Sequence, residues 1–318
     1  MIYAIISDIH GNYPALKAVL ADAQAHGANK YLLLGDYTNS FPFQNKVVET
    51  LRGLPATTII RGNHENYIRG MYLQKIDGQL NDQLSPLIWS YKQHSLEDLK
   101  YLCMLPEKAC VMDEGSNIYL AHDFKDISFR LAKLLPPLFN PDGYADLMRS
   151  APFTHEEYLS IARDALLTVP EAAASIRELL KGVYLFGHSH IQFFMEFEGR
   201  WFINPGSCGF ANDYDVRAAY TLITRTFDSE NNWYVQEQRV NYDMDTVINA
   251  MQASSFASEC PEWHKIFMRQ LIRGDDYFTQ FIRYVAATAR ELGETADPVS
   301  STVFNAAAKT WEATTFNQ

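Results

Sequence analysis

The chain has 318 residues, 47% apolar and 20% charged, an ordinary globular composition that excludes a mostly disordered protein. It carries 27 Lys and Arg against 38 Asp and Glu, a formal charge of −11. That balance argues against a broad basic face for nucleic acid and against docking on an anionic membrane. Cys103, Cys110, Cys208 and Cys260 show no Cys-x-x-Cys spacing. They read as small packed side chains in a reducing compartment, not as a disulfide framework or a thiolate zinc site. The apolar N-terminus reaches Asp8 and His10 too soon for a signal peptide, and no apolar run approaches the ~18 residues of a membrane span. A cytoplasmic protein is expected.

In chain order, short β-rich apolar runs fall at residues 3–7, 31–34, 57–60, 118–120 and 183–186. Continuous runs of that length fit strands covered on both faces. A helix is predicted over 14–21, with Pro14 at its start and Gly27 just beyond its end. Strand alternating with helix is the α/β pattern. Residues 66–108 and 123–181 lack a strand reading. The second stretch, with Pro136-Pro137 and helix-like segments near Leu159 and Ile176, reads as an insertion at one end of the sheet. Runs at 201–203, 218–226 and 233–240, with a turn at 228–232, suggest a meander. From about Asp245 the pattern turns helical, with Phe278, Phe281, Ile282 and Val285 at helical spacing after Gly274-Asp275-Asp276. The expected division is therefore a catalytic domain over 1–242 and a helical extension over 243–318.

Polar residues gather where the strands end. Asp8 and His10 follow the first run, Asp36 the second, Asn63 and His64 the third, His122 the fourth, and His188 and His190 the fifth. In an open α/β sheet those ends share the ligand-binding edge. Imidazole and carboxylate donors without thiolate suit Zn, Mn, Fe, Ni or Co better than Ca²⁺ or Mg²⁺. Eight candidates exceed the roughly 4 to 6 donors that one ion accepts, so two ions are expected, with Asp36 able to bridge them.

Asp8-x-His10, Gly35-Asp36, Gly62-Asn63-His64-Glu65, His122 and Gly187-His188-x-His190 together resemble the motif series of the calcineurin-like metallophosphoesterase superfamily. The resemblance runs over about residues 2–225. It implies an α/β fold, a two-sheet β-sandwich flanked by helices, here with a C-terminal helical appendage. It also implies two divalent or trivalent transition-metal ions (Mn, Fe, Zn or Ni) that hydrolyse phosphomonoesters or phosphodiesters. Carried over motif by motif, one ion takes Asp8, His10, Asp36 and His190. The other takes Asp36, Asn63, His122 and His188. His64 is then the catalytic residue, facing the substrate and not a metal.

Within the superfamily, the first and third motifs also look like the Ser/Thr protein phosphatases. Those enzymes continue Val-Asp-Arg-Gly after the bridging Asp, where this chain has Tyr37-Thr38-Asn39-Ser40. The change removes a phosphate-binding Arg and the carboxylate partner of the catalytic His. The Gly-His-x-His ending resembles the phosphodiesterase-like branch instead. Arg61 is a candidate substrate-binding cation, set against the plainer reading of a surface ion-pair residue. A protein phosphatase and a non-catalytic scaffold on the same fold stand as the alternatives, although every ligand-type position and His64 are present. Asn204-Pro205-Gly206-Ser207 resembles a family element and reads as a tight structural turn.

No nucleotide-binding glycine loop and no serine-hydrolase elbow is present. His26, His94, His155 and His264 read as surface or capping residues, and Glu156-Glu157 and Asp275-Asp276 as acidic helix starts. Cys208, Phe193, Phe194, Trp201 and Phe210 read as packing, with a pocket wall as the alternative. The two long stretches leave from the ligand edge and are expected to wall it. The expected partner is therefore a small phosphoester, a diester or nucleotide-like molecule, with no nucleic-acid polymer and no membrane. Self-association is not decided by the sequence.

Overall fold

The first strand, β1 (Ile2–Ile6), shows how the chain is divided. Tyr3 and Ile5 point one way and join Leu32, Leu34, Ile60, Ile118, Leu120, Val183, Leu185 and Ile203 in one buried cluster. Ala4 and Ile6 point the other way and join Leu16, Val19, Leu33 and Val47 in a second. Alternate residues of one strand thus feed two cores, which is why the run is apolar throughout. Each fully buried Ile or Leu contributes roughly 1.5–3 kcal/mol.

The computed structural model describes residues 1–74, 81–135, 155–226, 233–296 and 298–315. After β1 come α1 (Tyr13–Ala25), β2 (Lys30–Leu33), α2 (Gln44–Gly53), β3 (Thr57–Ile59) and α3 (Asn63–Tyr72). Next are α4 (Ser85–Gln93), α5 (Leu96–Met104), β4 (Lys108–Asp113), β5 (Ser116–Ala121) and α6 (Phe129–Leu134). Then follow α7 (His155–Thr168), α8 (Pro170–Glu178), β6 (Gly182–Leu185), β7 (Gln192–Phe197), β8 (Arg200–Pro205), β9 (Ala218–Arg225) and β10 (Trp233–Val240). The chain closes with α9 (Met244–Ala253), α10 (Phe256–Glu259), α11 (Pro261–Arg273), α12 (Tyr277–Glu291) and α13 (Ser301–Thr315).

One sheet has the order β10-β9-β1-β2-β3 and the other β4-β5-β6-β8-β7. The sheets are mixed: β1 pairs parallel with β2 and antiparallel with β9, and β6 pairs parallel with both β5 and β8. The shared cluster of Tyr3, Ile5, Ile118 and Val183 lies between them, so the architecture is the expected two-sheet sandwich. Helices α1, α2, α3 and α5 contribute to the core on the outer face of the first sheet.

Several expectations need correcting. The meander is split, because β8 belongs to the second sheet while β9 and β10 form a hairpin on the first. The expected turn at 228–232 lies outside the described residues, as does Pro136-Pro137. Where it is described, the 123–181 stretch lies on a sheet face and not at one end: Leu131, Ala132, Leu135, Ala172 and Ile176 cover Tyr184, Phe186, Phe193 and Phe202 on the second sheet's outer face. Those outward aromatics need a lid of helices to leave water. Cys110 is exposed, unlike the buried Cys208 and Cys260, and all four thiols are free. His94 ends α4 as a cap, yet it is buried. Asp276 does cap the start of α12, accepting from Thr279 N, although it and Asp275 are buried. No described helix is long and apolar enough to cross a membrane.

The C-terminal helices are bound into the rest of the molecule. Phe256, Trp263, Phe267, Phe281 and Phe304 share one buried cluster with Phe41, Trp89 and Phe210 from the preceding part of the chain.

Candidate metal centre

Three turns at the ends of β1, β2 and β6 carry most of the candidate ligands. Asp8 N donates to Gly35 O at 3.0 Å, and His10 N to Asp36 O at 3.0 Å, so the turns after β1 and β2 run side by side. Asp8, His10, Asp36, His188 and His190 all have positive φ, between 53° and 65°. Each such non-glycine residue costs about 1–3 kcal/mol, and strain of this kind gathers at functional sites. Two motif glycines permit the close approach. A Cβ on Gly62 would lie 2.2 Å from Asp36 Oδ1, and one on Gly187 would lie 2.0 Å from Ser7 Oγ.

Buried polar side chains hold these turns. The Glu65 carboxylate accepts from the backbone N–H of Asp36, Tyr37 and Gly62, each at 2.9 Å, and from Thr38 Oγ1 at 3.3 Å. Asn12 Oδ1 caps α1 at Ala15 N, 3.1 Å, while its Nδ2 donates to Gly209 O at 2.9 Å. Ser207 Oγ donates to Asp8 O at 2.8 Å, and Asn204 Nδ2 to Gly187 O at 2.9 Å. The end of β8 and the turn after it are thus structural, in keeping with the reading from sequence, and together they grip the β1 and the β6 turns.

The structure brings all eight strand-end residues together. Three overlapping clusters place possible ligand atoms within 4.8 Å of one another: Asp8, His10 and His190; His10, Asp36 and His64; Asp36, His122 and His188. His10 Nε2 and His190 Nε2 are 3.1 Å apart, and His190 Nε2 is 3.3 Å from Asp8 Oδ1. His122 Nε2 lies 3.2 Å from Asp36 Oδ2 and 2.9 Å from Asn63 Oδ1. His64 Nε2 is 3.6 Å from Asp36 Oδ2, so distance alone does not set it apart from the ligands.

The donor set fits cations. His190 Nδ1 lies 2.6 Å from the Phe210 carbonyl, and His122 Nδ1 lies 2.8 Å from the Leu34 carbonyl. A carbonyl only accepts, so both Nδ1 atoms carry hydrogen, and with a cation bound each ring would turn its Nε2 lone pair into the cluster. Two imidazole nitrogens facing each other at 3.1 Å need a proton or a cation between them. Asp8 and Asp36 are buried carboxylates, a placement that requires positive charge nearby.

Burial and the two carboxylates compete over the charge of these rings. Burial, then the neighbouring imidazoles of His64 and His190, hold His10 well below the usual histidine range. Burial lowers His64 and His188 as well, leaving neutral rings. Burial also opposes charge on His122, but the adjacent Asp36 carboxylate wins and lifts it to about 10. Burial would raise Asp8, yet His190 holds it at about 2. Burial and the nearby Asp36 charge push Glu65 up to about 7.

Arg61 does not join the cluster through any contact recorded among the described residues. Its guanidinium bonds Asn66 Oδ1 at 2.7 Å, the Leu105 carbonyl and the Glu107 carboxylate. Arg61 thus makes the ion pair of its plainer reading, with Glu107. Phe210 packs between the site and the core: its ring lies 5.5 Å from His10 and 5.2 Å from Phe41. Two neighbours escaped the sequence reading. Asp123 Oδ2 lies 3.6 Å from His188 Nε2, and adjacency to His122 was the signal available. Asn39 Nδ2 lies 2.9 Å from His64 Nδ1, in the run read only for its missing Asp-Arg.

The calcineurin-like phosphoesterase family model matches residues 1–220. An uncharacterized protein of Methanocaldococcus jannaschii is 26% identical over 275 residues, 82% of this chain and 94% of that protein. A metallophosphoesterase crystal structure from Sphaerobacter thermophilus superposes with a TM-score of 0.56 at 22% identity, covering 86% of this chain and 99% of that one. A hypothetical protein from Pyrococcus horikoshii gives a TM-score of 0.56 at 18% identity, covering 84% and 97%. These structures share the fold. With the motif residues gathered at one edge of that fold and the family match spanning more than half the chain, the protein belongs to the calcineurin-like phosphoesterase family.

Proposed function

We propose that the chain is a two-metal phosphodiesterase acting on a small diester or nucleotide-like substrate. The observation that carries this reading is the chain of three clusters linked through His10 and Asp36, which supplies donors for two neighbouring cations. Asp8, His10, Asp36 and His190 would hold one ion, and Asp36, Asn63, His122 and His188 the other. Bound there, the ions would supply Lewis-acid charge toward a phosphoryl group and toward an attacking water. Asp36 holds the two halves in register through its carboxylate, and its Oδ1 also accepts from His64 N at 2.9 Å. That bond fixes the start of α3 and with it the His64 ring. His64, neutral and half-enclosed beside Asn39, donates a hydrogen bond or proton to the substrate oxygen that gains charge.

A diester suits the local charge better than a monoester dianion. Among the described residues beside the ligand turns, Arg61 is paired with Glu107 and Lys125 with Asp123, so neither is free to meet a second negative charge. A substrate panel tests the reading. An aryl phosphodiester should show a higher kcat/KM than the matching monoester, a phosphopeptide or long DNA, and a chelator should abolish turnover. Preference for the phosphopeptide or the polymer, or turnover that survives chelation, would overturn it.

A further inference from the structure

We infer that Gln270, on α11, is a positioning residue for the Asp8–His10–His190 half of the metal centre, acting through the turn at 207–212. The buried face of α11 is otherwise apolar, with Trp263, Ile266, Phe267 and Leu271, and Gln270 stands among them at 2% exposure. A buried amide is costly unless its hydrogen bonds are made. Gln270 makes them at both ends: Nε2 donates to the Ala211 carbonyl at 3.3 Å, and Oε1 accepts from Phe278 N at 2.9 Å. Plain helix packing would be met by a Leu or Met at this position, so the amide marks a need to hold the 211 backbone.

That backbone is the grip on the metal ligands. Cys208 N donates to Ser7 O at 2.9 Å and Gly209 N to Asp8 O at 3.0 Å. Asn212 Nδ2 donates to Ser189 O at 3.0 Å, and the Phe210 carbonyl accepts from His190 Nδ1 at 2.6 Å. Phe267, one turn before Gln270 on α11, presses on the Phe210 ring at 5.4 Å, and the same ring meets His10 at 5.5 Å. The carbonyl that selects the His190 tautomer is therefore held in place by the C-terminal helices. Groups that orient a ligand's far nitrogen govern metal affinity.

The inference rests on the two-ion reading, and Mn²⁺ binding isotherms on the full-length chain separate the two. The wild-type chain should take up two equivalents. Gln270→Met keeps the volume and loses both hydrogen bonds; one equivalent should bind roughly tenfold more weakly and the other as before, with lost activity restored at saturating Mn²⁺. Phe267→Leu loosens the same turn by a different contact and should weaken the same equivalent. Phe304→Leu, buried in the same helical cluster on α13, should lower Tm while leaving both affinities intact. Unchanged affinities in both Gln270→Met and Phe267→Leu, or an equal shift in Phe304→Leu, would overturn the inference while the two-ion reading stands. A wild-type chain that binds fewer than two Mn²⁺ would overturn both.

Discussion

Asn39 Nδ2 sits 2.9 Å from Nδ1 of His64, on the side of the ring away from the Asp36 contact made by Nε2. Asn39 is itself fixed, with φ of 70° and its N–H donating to Gln44 Oε1 at 3.0 Å. An amide N–H directed at Nδ1 leaves the ring hydrogen on Nε2, which faces the cluster. Asn39→Leu removes that selection and about 1 kcal/mol of hydrogen bonding, so kcat should fall about fivefold with metal content unchanged. Steady-state kinetics alongside elemental analysis checks this. Loss of metal in Asn39→Leu would instead place Asn39 with the ligand framework.

His64 and the ligands should separate cleanly. His64→Ala should lower kcat by roughly 10²–10⁴-fold while the protein keeps its metal. His122→Ala and His188→Ala should lose metal occupancy. If His64→Ala loses metal as readily as those two, His64 is a ligand, which its place in the middle cluster would then explain.

Glu65 holds the β2 turn against α3 by accepting four hydrogen bonds. In Glu65→Gln an amide N–H must face donors that previously met a carboxylate oxygen. Leaving even one buried donor unpaired costs about 1–3 kcal/mol. Urea denaturation should show a loss of at least about 2 kcal/mol, with weaker metal binding because Asp36 N and Tyr37 N lose their anchor.

His94 gives the fold a pH dependence separate from catalysis. Burial holds it at about 4, against an unfolded value near 6.5. Below pH 6.5 the unfolded chain takes up a proton that the folded chain refuses, so stability falls as pH drops through the window from 6.5 to 4. Between pH 7 and pH 5 the wild type should lose about 2 kcal/mol more than His94→Leu in urea titrations. Parallel losses in the two proteins would show that the ring is accommodated in its charged form.

The ligand edge was readable because each apolar run ends in a polar residue whose chemistry has no packing role, as at Ser7-Asp8 and Gly187-His188. The division into two sheets was not. β8 and β9 are both buried runs of similar character, and only their partners, β6 and β1, assign them to different sheets. The outer-face role of α6 and α8 depends on Tyr184 and Phe202 facing away from Val183 and Ile203, and period-two alternation in fully apolar strands hides which face is which. The closeness of the C-terminal helices to the site was equally hidden. It runs through the Phe210 carbonyl and ring, and a backbone acceptor leaves no mark in a sequence.

The most direct test is the metal count itself, by elemental analysis of the full-length chain after Mn²⁺ saturation and desalting. Asp36, shared between two of the three clusters, should make the wild type hold close to two ions and make Asp36→Asn lose both occupancy and turnover. At most one ion in the saturated wild type, or full loading of Asp36→Asn with hydrolysis indifferent to chelator, would contradict a two-metal phosphoesterase.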